Sequence, residues 1–177
     1  MVKDGPAERR RFVDMELSQI RPSYYYALQR YNRALKQRNA LLREICAKPS
    51  LCGALDDFSA QLASHGAQIM RMRQTFLERI DASARRIHDE ITEGREVLSV
   101  RYAPSLAFDD PDRLGQALFD ALCASKQTDV ARGGTTVGPH RDDVALALGE
   151  MDVRVYGSQG QQRTTALSMK LSELSVM

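Results

Sequence analysis

Two long runs of helical apolar spacing, separated by a turn too short to lead anywhere but back, constrain this chain more than any other feature. The first run carries Tyr24, Leu28, Tyr31, Leu35, Leu42 and Ile45, spaced by three, four and seven. The second extends from about Asp56 to Ile91, with Phe58, Leu62, Ile69, Met72, Phe76, Ile80 and Ile87 on a near-heptad repeat and Gly66 as its only interior breaker. Between them, Lys48-Pro49-Ser50 through Gly53 is a turn by composition. Helices joined in this way bury both stripes as an antiparallel hairpin. The repeat lasts few heptads, so an ordinary bundle pair and a coiled-coil arm both fit it. Ahead of the hairpin, Pro6 opens a shorter helical stretch with Phe12, Val13 and Leu17 as apolar positions. Arg21-Pro22-Ser23 interrupts it, because Pro22 disfavours helical geometry at the residue before it and suits the first turn of the next helix.

The pattern changes after Gly94. Val97, Leu98, Val100 and Tyr102 form a β-like segment ending at Pro104, and Asp109 to Ser125 reads as a short helix with Leu114, Leu118, Phe119 and Leu122 on one side. A Gly-rich loop follows from Arg132 to Pro139. Val144, Leu146 and Leu148 alternate with alanines, and Gly149-Glu150-Met151-Asp152 turns the chain into Val153-Arg154-Val155, a hairpin pattern. Gln161 to Val176 reads as a helix with Ala166, Leu167, Met169, Leu171 and Leu174 as apolar positions. The expected fold is α+β and mostly helical, with residues 1–94 a helical lobe and residues 95–177 a mixed part. The mixed part holds too few strands to close a sheet, and the last helix reaches Met177 without a stop signal, so truncation is expected there and at the other end too.

Hydrophobic residues make up 43% and charged residues 27%, a composition that builds a packed core and argues against disorder. No apolar run approaches the roughly 18 residues that span a bilayer, and no signal-peptide core opens the chain, so a cytoplasmic protein without a membrane partner is expected. Cys46, Cys52 and Cys123 are too few and too irregularly spaced for a disulfide framework and are expected to be reduced. The net charge of +2 conceals an asymmetry: residues 1–50 hold 11 Lys/Arg against 5 Asp/Glu, while residues 51–130 hold 9 against 13. Much of the excess lies on the first long helix, at Arg30, Arg33, Lys36, Arg38 and Arg43. Such a face is either solvated or suited to an acidic partner such as nucleic acid.

The stretch Tyr156-Gly157-Ser158-Gln159-Gly160-Gln161-Gln162-Arg163-Thr164 opens the last helix. Small residues at 157, 158 and 160 allow a ligand close to the backbone, and a helix N-terminus offers unpaired N–H groups to an anion. Ser158 and the glutamines add uncharged donors; plain helix capping by Ser158 is the alternative role. A serine-nucleophile elbow is excluded, since Tyr156 stands where GxSxG needs glycine. No metal site is expected: His65 and His88 are isolated, and Asp142 and Asp143 are adjacent, facing opposite ways on a strand.

The run Gly157 to Thr164, with Ala166-Leu167-Ser168 after it, resembles the signature motif of the RecF family, ABC-type ATPases of recombinational DNA repair. Gly138-Pro139-His140-Arg141-Asp142-Asp143 is similar to a second stretch of that family. Arg9-Arg10-Arg11-Phe12-Val13-Asp14, with Tyr31-Asn32-Arg33-Ala34-Leu35-Lys36-Gln37-Arg38-Asn39, is similar to a third. The blocks stand in family order and cover essentially the whole chain. The resemblance implies an ABC-type (P-loop NTPase) head, incomplete here, with a helical-hairpin lobe inserted into it. It implies that Ser158 and the backbone at Gly160 contact the γ-phosphate of ATP held on a second subunit. Gln159 belongs to the same loop, and Gln161 and Gln162 would position it. ATP would thereby join two subunits as a homodimer. The resemblance also implies a weak DNA-dependent ATPase using ATP and Mg2+, acting with RecO and RecR to promote RecA loading at single-stranded gaps or junctions. Arg9, Arg10, Arg11, Arg33, Lys36 and Arg38 are the candidates for DNA phosphates, Tyr24-Tyr25-Tyr26 is expected to pack the hairpin, and His140 and Arg141 are expected to order the loop near the nucleotide side.

The departures matter equally. No GxxxxGK[ST] loop occurs, and no apolar strand ending in paired acids follows the signature. The chain as it stands is therefore expected neither to hold ATP tightly nor to hydrolyse it, with no catalytic residue of its own. Another Rad50- or SMC-like head is the nearest alternative, although such heads separate their halves by a far longer coiled coil. A non-enzymatic helical interaction module is the alternative of another class.

Overall fold

The computed structural model describes residues 2–45 and 48–176. Cys46 and Met177 lie outside the described residues; Cys52 and Cys123 are free thiols. Among the described residues, seven α-helices, α1 (Pro6–Ile20), α2 (Pro22–Ile45), α3 (Leu55–Thr92), α4 (Leu114–Ala124), α5 (Lys126–Arg132), α6 (Val153–Tyr156) and α7 (Gln159–Val176), accompany three strands, β1 (Leu98–Ala103), β2 (Asp143–Leu148) and β3 (Met151–Asp152). Single 3-10 turns occupy Pro49–Ala54 and Pro139–Arg141. No helix among the described residues is long and apolar enough to cross a membrane.

Two compact units interleave along the chain. One contains residues up to Ile20, Arg73–Ala103 and those from Asp142 onward; the other contains Arg21–Met72 and Pro104–Arg141. The compact units exchange chain at four points along the sequence, after Ile20, Met72, Ala103 and Arg141.

In the second unit, α2 and the first half of α3 run antiparallel, as the two apolar stripes require. Leu42 and Ile45 pack on Leu55, Arg38 bonds Ser59, and a Cβ at Gly66 would lie 3.2 Å from Tyr31, so contacts recede along α2 as they advance along α3. Gly66 does not break the helix. A side chain there would meet Leu118 Cδ2 at 2.7 Å, so the glycine admits α4 to the helix surface. The buried face of α2 reads Tyr24, Ala27, Tyr31, Ala34, Arg38, Leu42 and Ile45. Leu28 and Leu35 are only half-buried, and an arginine occupies the stripe they were expected to complete. Tyr24 packs inside, while Tyr25 and Tyr26 face outward in an edge contact with each other.

In the first unit, the sheet order is β1-β2-β3, all antiparallel. Leu98, Val100 and Tyr102 pair with Leu148, Leu146 and Val144, which places the alternating apolar residues of both strands on one face. The Val100 N–H, turned away from β2, donates to Asp81 Oδ1 of α3 at 2.6 Å, so a helix side chain satisfies the outer edge of β1. The expected return strand at Val153-Arg154-Val155 is corrected: β3 has two residues, and Val153 enters helical turn α6. Asp152 is the cause. Its Oδ1 accepts the Arg154 N–H at 2.8 Å, capping a turn in place of extending a strand.

Helix α7 lies antiparallel to the second half of α3, with His88 against Ser168 and Arg79 donating to the Val176 carbonyl. Its buried face is Thr165, Ser168, Met169, Ser172, Glu173 and Val176. Small hydroxyl residues allow close approach, and Ser168 and Ser172 return their hydroxyls to the helix carbonyls of Thr164 and Met169. Leu167, Leu171 and Leu174 consequently face outward.

Glu16 of α1 is buried, and its Oε2 has no hydrogen-bond partner among the described residues. Burial, and then the neighbouring Glu173, push its carboxyl above the usual range, with Lys170 opposing. A carboxyl raised on folding costs nothing where both states are protonated, and its penalty grows as pH rises through the folded value. Glu16→Gln is therefore expected to stabilise the protein at neutral pH by about 1 kcal/mol, the scale of one unsatisfied buried group. Urea midpoints measured from about pH 4 to about pH 8 should show the gain shrinking toward the acid end, through the ordinary carboxylate range. A gain independent of pH would refute the assignment.

Candidate functional site

Gly157 ends the α6 turn by donating its N–H to the Val153 carbonyl at 3.1 Å. A Cβ at this position would fall 2.5 Å from that same carbonyl oxygen, so only glycine lets the chain fold back here. Ser158 then starts α7 as its N-cap. The Gln161 N–H donates to Ser158 Oγ at 3.2 Å, and the Ser158 N–H donates to Gln161 Oε1 at 2.8 Å. This reciprocal pair is the capping box of an S-x-x-Q sequence. Gln162 Nε2 donates to the carbonyls of Val153 and Gly157, each at 3.1 Å, and fixes the preceding turn. Both glutamine side chains are thus committed to holding the loop.

What they hold is open. Ser158, Gln159 and Gly160 are exposed. No acceptor among the described residues faces the N–H of Gln159 or Gly160. A Cβ at Gly160 would meet only Ser158 Oγ, at 3.8 Å, so folding does not demand glycine there. Clefts lie on both sides. One, of ≈ 330 Å³, is lined by Arg95, Ser158, Gly160 and Gln161, and the other, of ≈ 520 Å³, by Lys3, Gln159, Gln162 and Arg163. Two free helix N–H groups flanked by cations suit a phosphate-sized anion.

The six basic candidates separate into two kinds. Arg9 is buried, with Nε and Nη2 each 2.7 Å from the Asp143 carboxylate and a further donor on the Asp4 carbonyl. Arg10 is half-buried and donates to the Asp142 carbonyl at 2.7 Å. Arg38 is fully buried: Nη1 reaches Asp129 Oδ2 at 2.7 Å and Thr135 Oγ1 at 2.8 Å. Arg9 and Arg38 therefore cannot offer their guanidinium groups to DNA, which corrects the expectation for those two. Arg11, 3.9 Å from Glu8, and Arg33 and Lys36 are exposed.

Ion pairs and hydrogen bonds join the motif blocks to one another. In one unit, Arg9 grips Asp143, and Arg73 links Asp14 at 2.8 Å to Asp142 at 3.6 Å, with the Tyr102 hydroxyl also on Asp142. Burial raises the Asp143 carboxyl, but the Arg9 bond, the Val144 N–H and the charges of Arg9 and Arg154 together hold it below the usual range. Burial, then Asp142, push the Tyr102 phenol far above its usual range. In the other unit, Tyr31 meets His140 Nδ1 at 2.7 Å, and His140 Nε2 meets the Thr135 carbonyl at 2.9 Å. A carbonyl only accepts, so His140 carries its proton on Nε2 and Nδ1 accepts the Tyr31 hydroxyl. Arg141 donates to the same carbonyl at 3.0 and 3.2 Å, while Asn39 Oδ1 receives the Thr135 N–H and hydroxyl. Gly138, at φ +124, lies where a Cβ would sit 2.5 Å from the Tyr31 hydroxyl. Distant motif blocks thus meet in two part-buried polar networks.

No protein-family model matches the chain. It is 38% identical over 180 residues to the DNA replication and repair protein RecF of Acetivibrio thermocellus, and 43% identical over 181 residues to that of Shouchella clausii; in both cases the alignment covers the whole chain and 49% of the relative. A solved structure of the recombination mediator protein RecF-ATPrS in the RecFOR pathway superposes with a TM-score of 0.94 at 35% identity, over 99% of this chain and 47% of that one. The fold is α+β and mostly helical, a helical lobe carried by part of an ABC-type ATPase head. The chain belongs to the RecF family and spans about half the length of the curated relatives it matches.

Residues of consequence that sequence reasoning missed are Asp129, the buried partner of Arg38, and Glu96, which accepts from Gln161 Nε2 at 2.9 Å. Asp129 follows Ser125 by four residues, the spacing of the bond between them, and that was a readable hint.

Proposed function

We propose that this chain is the part of a RecF-type recombinational repair ATPase that senses ATP bound to a second subunit. The observation carrying this reading is the geometry at the start of α7: a capped, glycine-anchored loop that leaves Ser158, Gln159 and Gly160 exposed. Ser158, Gln159 and Gly160 contact the γ-phosphate of the partner's ATP, and Gln161 and Gln162 hold the loop in place. ATP with Mg2+ then joins two subunits, and hydrolysis releases them. The P-loop and the metal-binding carboxylates are supplied by other parts of the full-length protein. The DNA complex it forms serves RecA loading at single-stranded gaps together with RecO and RecR. Cysteines introduced on facing surfaces of the full-length protein should crosslink between subunits with ATP and not without it; crosslinking indifferent to ATP would overturn the reading.

DNA contact falls to Arg11, Arg33 and Lys36, the basic candidates that remain exposed. Arg33 and Lys36 are three apart on α2, on one helix face beside the outward Tyr26. Arg33→Glu with Lys36→Glu should weaken DNA binding and reduce the log–log salt slope by about 2, near 0.9 for each phosphate no longer neutralised. Titrations between about 50 and about 200 mM salt measure this. A slope equal to wild type would return both residues to the solvated face.

A further inference from the structure

The loop at the start of α7 is fastened to the end of α3 by one carboxylate. Gln161 has a side chain whose orientation is chemically fixed. Its Oε1 takes the Ser158 N–H, so its Nε2 must find an acceptor, and it finds Glu96 Oε1 at 2.9 Å. Glu96 lies in the segment between α3 and β1. Its other oxygen, Oε2, is 3.2 Å from His88 Nε2. His88 is fully buried on α3, and its Nδ1 is 3.0 Å from Ser168 Oγ of α7. An ionised carboxylate only accepts, so both Gln161 and His88 donate to it. The chain of bonds runs from the Ser158 amide through Gln161 and Glu96 to the interior of the α3–α7 contact.

We infer that Glu96 is a positioning residue for the Ser158–Gln162 loop, setting the direction of its free N–H groups by orienting Gln161, with His88 holding Glu96 in turn. The functional half of this inference rests on the nucleotide-contact reading above; the structural half does not. A capping box alone leaves the Gln161 amide group free to swing between water and the Ser158 N–H. Glu96 removes that freedom, because only one orientation satisfies both ends. The loop is thus preorganised by a partner 65 residues away in sequence.

The bond polarity allows a swap test on the full-length protein. Gln161→Glu retains an oxygen for the Ser158 N–H, and glutamate serves a capping box as well as glutamine does. It nevertheless sets two carboxylates against each other where an amide donor and an acceptor met. Gln161→Glu combined with Glu96→Gln restores a donor–acceptor pair with its polarity reversed. Hydrogen exchange of the nucleotide-free protein at residues 158–162, and ATP-dependent crosslinking between subunits, are the two readouts. Gln161→Glu should exchange about tenfold faster at the hydrogen-bonded amides of Ser158, Gln161 and Gln162, the loss of one hydrogen bond's net protection, and should lose the crosslink. The double variant should recover both. Wild-type exchange in Gln161→Glu, or a folded double variant that recovers neither readout, would overturn the inference. Exchange that follows the expected order in a protein whose wild type never crosslinks on ATP supports the positioning by Glu96 and sinks the nucleotide reading instead.

Discussion

Arg38→Met is expected to destabilise the protein by about 3–5 kcal/mol, the cost of leaving one member of a buried ion pair without its partner. The guanidinium has no exposed surface and serves four groups: Asp129, Thr135, Ser59 and, at 3.5 Å, the Leu122 carbonyl. Methionine replaces the apolar stem and none of the donors. Asp129 is then stranded in the interior, still held by the Thr136 N–H at 2.9 Å, the Thr136 hydroxyl and Ser125, but with its charge uncompensated. Adding Asp129→Leu should recover much of the loss, because removing both charges also removes the cost of desolvating them. Urea midpoints at constant slope report the difference. A loss below about 1 kcal/mol would mean that the pair is hydrated like a surface bridge. Below its unfolding transition, Arg38→Met should keep the wild-type salt slope for DNA, in contrast to changes at Arg33 and Lys36. That contrast separates an arginine that builds the surface from those that use it.

Arg38 also shows how far the sequence is legible and where it is not. It follows Tyr31 by seven and Ala34 by four, and precedes Leu42 by four and Ile45 by seven, so it stands on the apolar stripe of α2. Arg9 stands four before Val13 in the same manner. Position alone marks both as interior, whereas residue type assigns both to the basic face, and position is the better guide. The helices themselves are legible because their stripes are local and periodic. The sheet is not, since β1 finds its partner across an intervening pair of helices and nothing in Leu98 to Ala103 names β2. The outward Leu167, Leu171 and Leu174 mislead for a related reason: α7 packs through serine and threonine, whose close approach carries no hydrophobic signature. At the site, S-x-x-Q is readable as a capping box from four residues. Glu96 is not readable, because its link to Gln161 exists only once the end of α3 and the start of α7 are brought together.

Ser158→Arg is expected to abolish ATP-dependent pairing of the full-length protein while leaving ATP binding by a single subunit unchanged. Two effects must be separated. Arginine removes the N-cap oxygen, costing about 1 kcal/mol of helix stability, and Ser158→Ala does the same. The buried face of α7 begins at Thr165, two helical turns away, so neither change reaches the packing that keeps the helix in place. Arginine alone adds a long side chain over the open face at Gly160, where only Ser158 Oγ approaches within 4 Å. A phosphate reaching for the Gln159 and Gly160 N–H groups has to occupy that space. Hydrogen bonds to charged groups contribute about 1.5–3 kcal/mol each. Two N–H groups are blocked at each site and a two-fold dimer has two composite sites, so the loss reaches about 6–12 kcal/mol. That corresponds to pairing weakened by more than about 10⁴-fold, against about 10²- to 10⁴-fold for Ser158→Ala, which loses only the hydroxyl contact at each site. Sedimentation with and without ATP measures the pairing, and fluorescent-nucleotide titration of the monomer measures the binding. Normal pairing of Ser158→Arg would remove the loop from the interface. Loss of nucleotide binding by its monomer would place Ser158 beside its own subunit's ATP, and the sensing role across subunits would fail.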